Sequence, residues 1–174
     1  MKKFVSVFYA LLAAILFTTS ALAGGSVKLS GATFSLGSLI ANGTLTGLGK
    51  TDVTVVLDAS GIPAITCTNN GSNDVPGQSS PKISASGQQS LLGNSPLRKN
   101  GKSPFGVETV DPTVIAWDVA GCPNSHWSAH IDFIYWTNAT INVYDTVTNA
   151  LLLKQDYTCI TTRFPANVSC QPVP

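Results

Sequence analysis

Hydrophobic and polar positions fall into two regimes along this chain. From Phe4 to Phe17 the residues are apolar except for Ser6, and after about Val27 they alternate in short runs broken by turn residues. The first regime has the form of an export leader. Lys2 and Lys3 give a positive start, and Ala21 and Ala23 place small residues where a signal peptidase cuts. Residues 1–23 are therefore expected to be a cleaved secretory signal peptide, and residues 24–174 a single domain. The apolar block is short for a spanning helix of roughly 20 residues, so no transmembrane segment is expected in the mature chain.

The second regime has the period of two that marks strands. Val27 to Leu36 reads as one strand or two, with Gly31 at a bulge or bend. Gly43 to Leu48 is followed by Thr51 to Leu57, where Val53, Val55 and Leu57 oppose Asp52, Thr54 and Val56. Asp58 to Gly61 reads as a turn, and Ile62 to Thr68 as the next strand. His130 to Thr137 is the strongest pattern, setting Ile131, Phe133 and Tyr135 against Asp132, Ile134 and Trp136. Asn138-Ala139 then reads as a tight connection into Thr140 to Asp145, and Asp145 to Asn149 as a hairpin turn. Leu151 to Ile160 returns, and a short strand near Asn167 to Cys170 is bounded by prolines. Residues 69–112 are a long Pro/Gly/Ser-rich excursion, with edge strands expected only at Lys82 to Ser86 and Phe105 to Val110.

Composition reinforces the pattern. Glu108 is the one glutamate, and the long charged residues that build helix surfaces are scarce. The fold class predicted is all-β: a single immunoglobulin-like β-sandwich of about seven to nine short antiparallel strands with two disulfides. Trp117 precedes Cys122, but the immunoglobulin order of Cys, Trp and Cys is not met.

All four cysteines, Cys67, Cys122, Cys159 and Cys170, lie beyond the leader, as expected of two disulfides in an exported chain. Three pairings are open. The favoured one joins Cys159 to Cys170, clamping the C-terminal segment, and Cys67 to Cys122, closing the long middle region. Charge changes the picture by exclusion. Loss of Lys2 and Lys3 leaves eight basic residues against nine acidic ones, so no nucleic-acid partner is expected. Arg98, Lys99 and Lys102 read as a solvated loop.

Candidate chemistry is thin. His126, His130 and Asp132 are of metal-ligating type, but on a strand the two histidines stand about 13 Å apart. Trp127 also follows His126 where a metalloprotease needs Glu. Gly47 to Thr51 approaches a phosphate-binding loop, yet Gly43 is one place off the required spacing. Glu108, Asp118 and Asp132 offer carboxylates, while Asp58, Asp74, Asp111 and Asp145 fall at predicted turns. The reading is of no enzyme, no metal and no cofactor.

Aromatic side chains suggest binding instead. Trp117 and Phe133 are assigned to the core, and Trp127, Trp136 and Tyr144 to contact with a ligand or partner. Asn42, Asn70, Asn138 and Asn167 match the glycosylation acceptor pattern, as any Asn- and Thr-rich chain would. The function expected is a secreted, non-enzymatic structural or interaction protein of the cell surface or medium: an adhesin, matrix component or self-assembling subunit. Its partner would be a protein or a second copy, reached through edges or faces. A carbohydrate-binding module is the first alternative, with a polysaccharide as ligand, and a small secreted enzyme or metal-binding protein the second.

Overall fold

The computed structural model describes residues 26–174, so the predicted leader at 1–23 lies outside the described residues. Ten strands form there: β1 (Lys28–Ser35), β2 (Ile40–Thr46), β3 (Val53–Asn69), β4 (Asp74–Pro76), β5 (Ile83–Leu91), β6 (Lys102–Glu108), β7 (Val114–Ile115), β8 (Trp127–Asp145), β9 (Leu151–Arg163) and β10 (Ala166–Pro172). Among the described residues there is no helix, and so none long and apolar enough to cross a membrane.

Two antiparallel sheets result. The smaller has the order β1-β2-β6. The larger runs β10-β9-β8-β3, with β4 and β5 side by side along the outer edge of β3 and β7 added to β8. One of the two sheets curls as a half-barrel.

Its centre is a pair of strands much longer than the sequence pattern suggests. Asp58 to Gly61, predicted as a turn, lies in mid-strand in β3, and Asn138-Ala139, predicted as a connection, lies in mid-strand in β8. The two misread segments face each other, with Asp58 opposite Thr140, Ala59 opposite Ala139 and Ser60 opposite Asn138. Turn-forming residues are accommodated there because their polar groups bond sideways. Asp58 accepts hydrogen bonds from Ser86 Oγ of β5 at 2.7 Å and from Asn142 Nδ2 of β8 at 3.1 Å. The hairpin turn at Asp145 to Asn149 does form. Its carboxylate accepts from the backbone of Val147 and Thr148, and Asn149 takes the left-handed conformation at φ 55°.

The excursion at 69–112 holds β4, β5 and β6, and it is pinned to the body. Arg98 is no freely solvated residue: it donates to Ser103 Oγ and to the carbonyls of Gly49 and Thr51. β5 and β6 join the two sheets along one side, where Gly106 N–H donates to Gln89 Oε1 and Val110 N–H to the Ser86 carbonyl. Gly87 is required at this crossing, because a Cβ would overlap the Glu108 carbonyl. On the other side Phe34 of β1 meets Tyr157 of β9 edge to face, 4.9 Å between centroids.

The inner faces of both sheets share one core. Ala41 and Leu45 of β2 and Phe105 and Val107 of β6 belong to it, as do Val53, Val55 and Leu57 of β3 and Ile141 and Val143 of β8. A satellite core of Ile65, Cys67, Ala120, Cys122 and Ala129 lies beside it, with half-buried Trp127 against it. Both favoured disulfides are formed. Cys67–Cys122 ties β3 to the loop after β7, and Cys159–Cys170 joins directly opposed residues of β9 and β10. Neither bond spans the two sheets, unlike the immunoglobulin bond.

Candidate functional site

Two β-bulges in β8 decide what the larger sheet shows to solvent. β3 carries no extra residue and keeps its odd-numbered side chains inward throughout. On β8, Ile131 pairs with Ile65 and Phe133 with Ala64, leaving Asp132 unpaired; Trp136 pairs with Gly61 and Asn138 with Ser60, leaving Thr137 unpaired. Each extra residue reverses the alternation that follows it. Odd positions therefore face inward at Ala129, even ones at Ile134 and Trp136, and odd ones again at Ala139, Ile141 and Val143.

This displaces the contact residues assigned from the pattern. Trp136 is 1% exposed and lies in the main core, so it does not share a solvent face with His130 and Asp132. Trp127 packs in the satellite core, and the two tryptophans form no common platform. Tyr144 is half-buried on the outer face, opposite Thr54 near the start of β3. Trp117, assigned to the core, is 39% exposed, and Phe133 faces outward and is half-buried.

His126 and His130 are exposed, His126 in the loop and His130 on β8. Asp132 accepts a 2.6 Å bond from Thr66 Oγ1. Among the described residues no three His, Cys, Asp or Glu side chains are placed to hold a metal ion.

The bulges bring a different set together. Phe133 and Tyr135 stand edge to face on the outer surface, 5.0 Å between centroids. Ile62 faces outward on β3 opposite Tyr135. The tip of the β9–β10 hairpin adds Arg163, whose guanidinium carbon lies 5.9 Å from the Phe133 ring centroid and 5.4 Å from that of Phe164. Phe164 itself is 86% exposed.

Next to this aromatic end the same face becomes polar and low. Ser84 of β5, Ser60 of β3, Asn138 of β8 and Thr158 of β9 form one cross-strand row. Ser86, Asp58, Thr140 and Asp156 form the next. Small side chains leave an open depression of about 420 Å³ over Asp58, Ser60, Ser84, Ser86, Asn138 and Thr140. Asp156 is held below the usual carboxylate range by the Lys154 ammonium at 2.9 Å and then by the Thr140 hydroxyl. Away from this face, burial pushes the Asp111 carboxyl up, against the Thr109 hydrogen bond.

Ile62, Arg163 and Phe164 were invisible to alternation because one reads as a strand-start apolar residue and the others as loop. The turn-like segments Asp58 to Gly61 and Asn138-Ala139 face each other beside the second bulge, and the sequence reading took both for turns. Comparison with protein-family models, with curated proteins and with solved structures gave no match.

Proposed function

We propose that this chain is a secreted, non-enzymatic interaction protein of the cell surface or extracellular medium, and that the outer face of the larger sheet is its contact surface. The observation that carries the reading is the aromatic end of that face. Phe133 and Tyr135 are turned outward by two bulges, where a plain alternating strand would have buried them, Phe164 projects from a hairpin tip, and Ile62 faces outward beside them on β3. Exposed rings gathered in one place are the usual anchors of binding surfaces. Two disulfides fit an oxidising compartment. Within this reading the domain is an immunoglobulin-like sandwich in the broad sense of two antiparallel sheets enclosing one core, serving as a rigid support for the face.

The test is binding of the oxidised chain Gly24–Pro174 to the envelope fraction of the producing cells. Tyr135→Ala and Phe164→Ala are expected to weaken binding by about tenfold each, an effect of one aromatic contact. Equal binding by both variants would refute the assignment of the face.

A further inference from the structure

We infer that this face binds a neutral polysaccharide, an inference that rests on the reading of the face as the contact surface. The argument starts from what the polar half lacks. Protein-binding surfaces are depleted in Ser and Asp at their centres, since each buried polar group then needs a partner of matching geometry. Here the depression beside the rings carries Asp58, Ser60, Ser84, Ser86, Asn138 and Thr140, with Ala59, Ala85 and Ala139 between them. Asp58, Ser86, Asn138 and Thr140 are already ordered by hydrogen bonds within the sheet, and their remaining lone pairs, with the hydroxyls of Ser60 and Ser84, face the depression. A sugar brings hydroxyls that both donate to and accept from such groups.

The two halves of the face suit the two aspects of a pyranose ring. Its C–H face is apolar and stacks on an aromatic ring, while its hydroxyl rim donates to carboxylates and exchanges hydrogen bonds with hydroxyls and amides. Tyr135 and Ile62 lie at the aromatic end, and Ser60 follows Ile62 on the same outward side of β3. From Phe133 to Thr140 the strand carries this surface for roughly 20 Å, enough for several linked sugars but long for one. Asp58 is already held by Ser86 and Asn142 from the strands on either side, so its ordering does not oppose binding.

Charge selects among glycans. Asp58 and Asp156 lie in one cross-strand row with Thr140 between them, and Lys154 is engaged by Asp156. Arg163 sits over the rings at the far end of the face. An acidic or sulfated chain crossing the polar half would meet carboxylates, and a neutral one would use them as acceptors.

The experiment is affinity electrophoresis of the oxidised chain Gly24–Pro174 through xylan, galactomannan, laminarin and hydroxyethyl cellulose, with polygalacturonate as the anionic comparison. Sedimentation with chitin and cellulose extends it to insoluble chains. Retention is expected on at least one neutral polysaccharide. It should fall by about tenfold in Phe164→Ala and in Ser84→Arg, which fills the depression. Circular dichroism and intact mass, showing a native fold and both disulfides, qualify each variant.

Retention by none of these polysaccharides, retention only by polygalacturonate, or undiminished retention of both variants would overturn the inference. Periodate and protease treatment of the envelope fraction separates this inference from the reading beneath it. Face-dependent binding that survives periodate and is lost to protease overturns the polysaccharide and leaves the contact surface standing. Envelope binding indifferent to the face variants overturns both.

Discussion

A Cβ added at Gly61 would lie 2.6 Å from the Tyr135 carbonyl oxygen and 2.8 Å from Ile134 Cγ2. The backbone of β8 is therefore seated directly on this glycine beside the second bulge. Gly61→Ala should destabilise the fold by about 1–3 kcal/mol, as overpacking does, measured by urea unfolding. Trp136→Ala is the opposite insult, a cavity under the same bulge, and should cost about 3–5 kcal/mol. If Trp136→Ala proved nearly neutral, its placement in the core would be wrong. Ionisation acts at this scale too. Backbone and hydroxyl hydrogen bonds from Thr148, with the backbone of Val147, depress Asp145, and Lys154 and Thr140 depress Asp156. A carboxyl whose folded value lies below its unfolded one stabilises the fold above the unfolded value, and that gain is lost as pH falls through the folded value. The wild-type urea midpoint should thus drop between about pH 5 and pH 2, and the Asp145→Asn, Asp156→Asn double variant should drop less. Equal drops would show that these two groups do not drive the acid response. Asp111 has the opposite sign: raised by burial, it favours the fold below the unfolded carboxyl value of 3.8 and ceases to do so as pH rises through its folded value.

β8 shows at the level of the element why part of the design was legible and part was not. Alternation located most of its residues and its hairpin to β9, but split the strand at Asn138-Ala139. It failed at the phase, because a bulge changes which neighbour faces inward without changing the composition of the run. Asp132 and Thr137 look like ordinary polar members of an alternating strand, and only the partner strand reveals that they have no opposite number. The same ambiguity hid the continuity of β3, where Asp58, Ser60 and Gly61 carry every local mark of a turn. A candidate face that depends on this phase could not be read from one strand alone. Deletion of Thr137 tests the description. The remaining sequence would alternate with Trp136 inward and Asn138 outward, so the variant should still fold with both native disulfides. It should lose about 1–2 kcal/mol with the bond from Thr137 Oγ1 to the Ser60 carbonyl. Scrambled disulfides in that variant would show that the bulge is needed for the sheet to close.

For the molecule as a whole, the disulfides differ in reach. One closes a separation of 55 residues and the other of 11. Loop-closure entropy gives about 4 kcal/mol for the longer and about 3 kcal/mol for the shorter. Replacing Cys67 and Cys122 by Ala should therefore lower the unfolding free energy more than replacing Cys159 and Cys170, and the reverse order would place the controlling constraint at β9–β10. The preferred pairing formed, although the sequence left all three open, and the all-β class was legible in the scarcity of long charged residues. The assignment of strands to the two sheets was not foreseeable, because it depends on which distant strands pair with β3.

That dependence has a consequence for the newborn chain. Synthesis proceeds from β1 to β10, so β3 is complete long before β8, its longest partner, exists. At ribosomal speeds the interval is roughly 3 to 12 seconds. In that time β5 can cover one margin of β3, while the other stands open with Val53, Val55, Leu57 and Ile65 beside it. That margin gains its partner only when β8 emerges, so the longest pairing in the fold is also a late one.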